Sequence, residues 1–224
     1  LVVAAWDPEL QHFREHLAAR RAASQRSVGD HSEVELQTAA VGVGLVEASL
    51  GAMRAFYAFQ PSHALFIGTC GVFRVPDGSS TLEWGDAIAP RRVHLVDVDA
   101  VCNKSAFPGP MPREALFDEE LRDQCVRAGA KAASAANPLT ITTDDARANA
   151  LARASGCEVE HLEVFAFARA CAVCDIRGAA ILGIANDVGA SGRSQWATHH
   201  LEASARAADV ALAVVHELDK CGVQ

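Results

Sequence analysis

Val159-Glu160-His161-Leu162-Glu163 runs into the apolar stretch 164–174, VFAFARACAVC, and about twenty residues later Ile181-Leu182-Gly183-Ile184-Ala185-Asn186-Asp187-Val188-Gly189 carries an apolar run onto an amide and a carboxylate. The first stretch reads as a buried helix entered by an acidic pair, the second as a buried strand that ends on polar residues. Carboxylates beside a strand end suit a polyhydroxylated ligand, because an ionised carboxylate only accepts hydrogen bonds and hydroxyls donate them.

The rest of the chain repeats this alternation. Residues 1–6 read as a strand and 7–23 as a helix, with Asp7 as N-cap and Pro8 at the first helical position. Residues 34–41 form a second strand, which Gly42-Val43-Gly44 turns into a helix over 45–59. After Pro61, residues 64–67 make a buried strand that ends in a loop, Gly68-Thr69-Cys70-Gly71. Strands follow at 87–89 and 92–98, a helix at 113–129, a strand at 139–142 leading to a helix at 144–154, a strand at 179–184 and a last helix at 194–218. Strands alternating with helices imply an α/β fold: a single domain over residues 1–224, with a mixed, largely parallel twisted sheet flanked by helices.

Composition excludes several classes. The chain has 224 residues, 50% of them hydrophobic, enough for one well-filled core, and no linker-like tract divides it. A net charge of -8 without a basic cluster argues against nucleic acid, whose binding rests on Lys and Arg neutralising phosphates. No run is long and apolar enough for a membrane span and no signal-peptide pattern opens the chain, so a soluble, cytoplasmic protein is expected. The seven cysteines read as free thiols in a reducing compartment. Cys171 and Cys174 have the spacing of a metal or redox pair, but they lie inside an apolar helical pattern without a second Cys or His pair, which favours core packing. Neither a metal nor an organic cofactor is expected.

In such a sheet ligands bind beyond the carboxyl ends of strands, so the segments that follow strands hold the candidates. On residues alone, Asp7 and Glu9 are a helix cap and a first-turn acid. Gly68 and Gly71 would let backbone amides approach an anion or a sugar closely, or simply make a tight turn. Glu160 and Glu163, three apart, share one face of the expected helix and could be solvated surface acids. Glu163, however, is flanked by Leu162 and by an apolar run, and an acid entering such a run needs partners, which two sugar hydroxyls would supply. His161 is given no role. Asn186-Asp187 is either an ordinary turn or a polar pair facing a ligand.

The order of these parts resembles the purine nucleosidase and nucleoside phosphorylase superfamily. Val159 to Glu163 is similar to its Val-Glu-x-Met-Glu helix start, Ala5-Trp6-Asp7-Pro8-Glu9 to its Ala-x-x-x-Glu, and Gly68-Thr69-Cys70-Gly71 to its Gly-Thr/Ser-x-Gly. Gly42-Val43-Gly44 and Trp84-Gly85-Asp86 are similar to its Ser-Gly-Ile-Gly and Val-Gly-Asp. The resemblance implies a nucleoside phosphorylase-like fold and a homo-oligomer. It implies Glu9 as the water-activating carboxylate, Glu163 as the ribose-binding one, Leu162 in place of the Met, Gly68 and Thr69 at the substrate, and Asn186 (or Asp187) at the leaving purine. The superfamily's phosphorylases hold phosphate with an Arg before the Gly-Thr loop and a Gly-Asp-Pro-x-Arg segment near the first strand. Here Phe66 and Trp6-Asp7-Pro8-Glu9 stand in those places, which implies water as the nucleophile.

Within the superfamily the resemblance runs to the futalosine hydrolases of the alternative menaquinone pathway, which cleave hypoxanthine from a ribosyl benzoate. It rests on Thr140-Ile141-Thr142-Thr143-Asp144, with Thr142 at the substrate, and on Ile184-Ala185-Asn186-Asp187-Val188-Gly189. Asn186 stands where adenine-specific nucleosidases have Asp, and an amide that both donates and accepts suits a 6-oxopurine. Leu162 for Met, Ala185 for Ser and Val164-Phe165 for a small Gly-Ala pair are departures that bear on pocket shape. Methylthioadenosine/S-adenosylhomocysteine nucleosidase, purine nucleoside phosphorylase and a non-catalytic nucleoside-binding protein are the alternatives.

Overall fold

Val2, Val3 and Ala4 are fully buried, as a strand covered on both faces must be, and form β1 (Val2–Ala4). The structure, a computed structural model, describes residues 1–24, 35–74 and 81–220. After β1 come a 3-10 turn (Asp7–Leu10), α1 (Gln11–Ser24), β2 (Thr38–Ala40), α2 (Leu45–Phe59), β3 (His63–Val72) and β4 (Ala87–Leu95). Then follow α3 (Val98–Val101), β5 (Glu114–Leu116), α4 (Glu119–Arg127), β6 (Lys131–Asn137) and α5 (Asp145–Ser155). The chain ends with β7 (Val159–Glu160), α6 (Val164–Cys174), β8 (Arg177–Asp187) and α7 (Gly192–Lys220).

The sheet is mixed and largely parallel. β3 and β8 pair in parallel, β8 then pairs antiparallel with β4, β4 and β6 are parallel, and β6 and β7 are parallel. The antiparallel pairing of β7 with β3 closes these five strands into a ring. β1 and β2 extend the sheet from β3, and β5 pairs with β4. One core packs α2 and α6 on the strands, where the Phe167 ring lies 5.9, 5.4 and 6.1 Å from those of Phe56, Phe66 and Phe117. A second core on α1, α4 and α7 buries Leu10, Phe13, Leu121 and Val210. The helices therefore cover the ring from outside and leave its strand ends open for a site.

Several local expectations are corrected. Asp7 is not the cap: the 3-10 turn has Trp6 at its N-cap, and Asp7 pairs with Arg14 at 2.9 Å. Residues 68–71 are not a loop, because β3 runs on to Val72, with Gly68 paired to Leu182 and Gly71 to Asn186 of β8. The strands read at 87–89 and 92–98 are one strand, β4, whose register against β6 shifts between Pro90 and Val93. The helix read over 113–129 begins only at Glu119, where the Asp118 side chain accepts from the N–H of Leu121, and residues 114–116 are a strand. The strand expected at 139–142 lies instead at Lys131–Asn137, an alanine-rich segment whose burial between neighbours outweighs alanine's weak strand preference. Glu160 belongs to β7 and Glu163 is the N-cap of α6, so the two acids do not share a helix face. The second strand starts at Thr38, and residue 34 of its expected span, like Cys221, lies outside the described residues.

The cysteine pair on α6 divides between two surroundings. Cys171 is buried against Gly178, while Cys174 Sγ lies 3.5 Å from Met53 Sδ. No helix of the described residues is long and apolar enough to cross a membrane.

Candidate active site

Pro8 and the tight turn after β1 carry Glu9 back over the strand ends, where its side chain is buried. Its Oε2 faces the N–H of Trp6 at 3.4 Å. Its Oε1 accepts from both the backbone N–H and the hydroxyl of Thr69, at 3.1 and 3.2 Å. Thr69 is held in turn by Trp196, whose Nε1–H donates to the same hydroxyl at 3.0 Å. Burial pushes the Glu9 carboxyl up to about 7, the charge of Glu163 adds to the effect, and the hydrogen bonds from Trp6 and Thr69 oppose it. A carboxyl balanced near neutral pH suits a general base.

Glu163 is also buried. Its Oε1 accepts the N–H of Gly44 at 2.7 Å, and its Oε2 lies 3.2 Å from His161 Nδ1. That second contact has the distance of an ion pair but is not one. His161 Nδ1 accepts the N–H groups of Glu163 and Val164 at 3.1 and 3.3 Å, so it carries no proton, and burial holds the imidazole below its usual range. Glu163 Oε2 therefore receives no protein N–H or O–H among the described residues, and it is available to a ligand hydroxyl. Asn137 at the end of β6 fixes this helix entry. Its Nδ2 donates to the carbonyls of Pro138 and Leu162 at 3.1 and 2.9 Å, and its Oδ1 accepts from the N–H of Phe165 at 2.9 Å.

Glu9, Gly68, Thr69 and Glu163 thus come together at one end of the ring. Leu162, half-buried, joins them through the carbonyl that Asn137 holds. Thr142 is occupied differently: its N–H and hydroxyl donate to the two oxygens of Glu160 at 3.0 and 2.5 Å. Glu160 acts from β7 as an internal staple of the 138–144 loop, with its carboxyl raised by burial against those two bonds. A cavity of about 470 Å³ runs along this loop, lined by Val96, Leu139, Ile141 and Thr142 among others.

Asn186 and Asp187 end β8 rather than follow it. Asn186 lies against Gly71, where a Cβ would come within 2.8 Å of its Nδ2, and that nitrogen donates to the Asp187 carbonyl at 2.7 Å. Asp187 faces elsewhere. Its Oδ1 accepts from Arg74 Nε at 2.8 Å and from Trp84 Nε1 at 2.9 Å, so the carboxylate anchors those two side chains.

The sequence reading passed over His161, Asn137 and the tryptophans. Trp6, Trp84 and Trp196 are the chain's three tryptophans, and all gather at this end of the sheet. Trp6 and Trp196 lie 6.4 Å apart, Trp196 stacks on His200 at 4.3 Å, and Trp84 is 5.0 Å from His199. Trp6 and Trp84 stand inside segments already singled out for other residues, and Trp196 opens the last helix, which was the available signal.

A clamped carboxylate balanced near neutral pH and a second with one oxygen free of protein donors among the described residues thus stand across the strand ends of a closed mixed sheet. The chain belongs to the phosphorylase superfamily, whose family model matches residues 1–218. It is 31% identical over 179 residues to the futalosine hydrolase of Thermus thermophilus, which takes in 74% of this chain and 76% of that one. Among solved structures, the native futalosine hydrolase of Helicobacter pylori strain 26695 superposes with a TM-score of 0.78 at 16% identity, over 97% of each chain. The 5'-methylthioadenosine/S-adenosylhomocysteine nucleosidase of Helicobacter pylori, with butyl-thio-DADMe-Immucillin-A, does so with 0.79 at 16% identity, again over 97% of each chain. At that identity the structural likenesses establish the fold.

Proposed function

We propose that this protein is a nucleosidase that hydrolyses the N-glycosidic bond of a purine nucleoside, futalosine first among them, releasing hypoxanthine for the menaquinone pathway. The observation that carries the reading is the pairing of Glu9 with Glu163 at 31% identity to a futalosine hydrolase. Glu163 Oε2 accepts from the ribose hydroxyls and compensates positive charge as the sugar ring becomes oxocarbenium-like. Glu9 removes a proton from the attacking water. Asn186 hydrogen-bonds the departing purine. Gly68, Thr69, Thr142 and Leu162 shape the substrate side, Thr69 by clamping Glu9 and Thr142 through Glu160.

Water rather than phosphate as nucleophile is supported by Phe66, which is buried beside His161 where a phosphate-holding Arg would be needed. Arg74 is engaged by Asp187 and the Leu82 carbonyl, and Arg91 is exposed on β4. The deciding experiment incubates the protein with futalosine, inosine, adenosine and methylthioadenosine in phosphate-free buffer and measures free base. Ribose 1-phosphate formed only on phosphate addition would replace this reading by a phosphorylase. Tight binding without base release would replace it by a nucleoside-binding protein.

The same reading takes residues 1–224 as one cytoplasmic domain that needs neither metal nor organic cofactor. It also takes the protein as a homo-oligomer: Val46, Leu50, Met53 and Tyr57 form an exposed apolar stripe along α2. Light scattering of the wild type and of Leu50→Glu tests this, the variant being expected to shift to monomer.

A further inference from the structure

We propose that His161 orients the attacking water, its Nε2–H and the Glu9 carboxylate facing one small space above Gly68. The inference rests on the hydrolase reading and extends it to a residue that the motif comparison leaves without a role.

Three observations define the geometry. His161 Nδ1 accepts from two backbone N–H groups at the start of α6, at 3.1 and 3.3 Å, which forces the ring proton onto Nε2. The ring is held edge-to-face against Phe66, with centroids 5.3 Å apart and planes at 88°. A Cβ built on Gly68 would lie 3.4 Å from Glu9 Oε1, 3.5 Å from His161 Nε2 and 3.3 Å from Phe66 Cε1. One acceptor, one donor and one apolar wall therefore face the same side of Gly68, and a water further out from the backbone can bridge the acceptor and the donor. Among the described residues Nε2 has no hydrogen-bond partner.

A water held between the two groups, outward from that Cβ position and clear of the Gly68 Cα, donates to Glu9 and accepts from His161, which leaves its remaining lone pair to reach the anomeric carbon. In the reaction the water oxygen forms the new C–O bond while the C–N bond breaks and its electron pair leaves with the purine nitrogen. One water proton passes to Glu9 and from there to solvent, and the purine nitrogen takes a proton from solvent. His161 keeps its proton throughout: it is a positioning residue. Glu9 alone would accept the water's proton without fixing the direction of its lone pair. Capping α6 needs only Nδ1, so the Nε2–H is not accounted for by structure.

The two functions of the ring separate by substitution. Asn at 161 places an acceptor near Nδ1 and keeps the cap but has no group near Nε2. Gln places an amide N–H near Nε2 and gives up the cap. Using futalosine or inosine, whichever the wild type cleaves faster, His161→Asn is expected to lose roughly 100-fold in kcat with KM and Tm nearly unchanged. His161→Gln should keep more turnover than Asn while losing Tm. In water–methanol mixtures, wild type should favour ribose over methyl riboside more strongly than His161→Asn does, a partition that a helix cap does not influence.

Gly68→Ala, which fills the space with a methyl group, should bind nucleoside and fail in turnover. Wild-type kcat in His161→Asn, or Gln no better than Asn with an unchanged methanol partition, would overturn the inference and leave the hydrolase reading intact. A wild type that turns over only with phosphate would overturn both.

Discussion

Gly44 donates its backbone N–H to Glu163 Oε1 at 2.7 Å, joining the turn before α2 to the start of α6 across 119 residues of chain. The bond fixes one carboxylate oxygen and leaves the other without a protein hydrogen-bond donor among the described residues. It depends on a backbone shape, φ 87° and ψ 163°, that only glycine adopts readily.

Gly44→Ala should therefore weaken the site without a clash, since a Cβ there meets nothing within 4 Å. Strain on the order of 1–3 kcal/mol is relieved by turning the peptide away from Glu163. The expected result is a fall in kcat/KM of roughly tenfold or more, KM rising as Glu163 loses its orientation. Unchanged kinetics would mean that Glu163 is held by other groups.

Glu9→Gln should keep nucleoside affinity and lose most turnover, by about 10²–10⁴-fold, because the amide cannot accept the water's proton. In the wild type, kcat/KM should rise with pH through about 7, as Glu9 ionises, and level off above it. A profile flat from pH 5 to 9 would return Glu9 to the role of a helix-start acid.

The same carboxyl makes stability depend on pH. Its folded value, about 7, lies above the ordinary 4.5, so the native state binds the proton more tightly than the unfolded chain. That contribution is fully present below about 4.5 and is lost as pH rises through 7, with a size on the order of 1–3 kcal/mol. Thermal melts at pH 5 and pH 8 should show wild type losing Tm relative to Glu9→Gln. Parallel changes in the two proteins would contradict the burial of this charge.

Asn186→Asp should move base preference from hypoxanthine-type toward adenine-type nucleosides. Asn186 Nδ2 uses one of its two protons on the Asp187 carbonyl at 2.7 Å; an acid in its place has one proton, which it can give up to the purine nitrogen as an amide cannot. The measurement is the ratio of kcat/KM for inosine-type and adenosine-type substrates in both proteins. A wild type that prefers adenine would refute the role given to Asn186.

Thr142→Val removes the hydroxyl that Glu160 accepts and leaves a buried carboxyl short of a donor. A loss of about 1.5–3 kcal/mol is expected in urea unfolding, the range for hydrogen bonds to charged groups. An unchanged midpoint would show that the 138–144 loop is held by other contacts.

Much of the architecture was legible because burial leaves a local record. The apolarity of 164–174, interrupted only by Arg169, and of 179–184 marked α6 and β8, and the alternation of such runs marked an α/β fold with a largely parallel sheet. The burial of Glu163 was legible for a related reason, since an acid entering an apolar run needs a partner, whereas Glu9 read on its residues as a first-turn acid and only the motif resemblance set it apart. Alanine-rich β6 escaped because alanine carries little strand preference, so only its neighbours make it a strand.

What the chain alone determined, then, was which segments are buried, in what order, and which polar residues they carry inward. Tertiary structure alone decided the partners. β8 meets β4 antiparallel and β7 meets β3 to close the ring, Glu160 turns to Thr142, and Asp187 turns to Arg74 and Trp84. His161 is the sharpest case, for nothing near it in sequence shows that one nitrogen caps a helix while the other faces the space above Gly68. Periodicity reports one residue's exposure to its own element's faces. Hydrogen-bond pairing depends on groups brought together from distant parts of the chain, and those distances exist only once the sheet has closed.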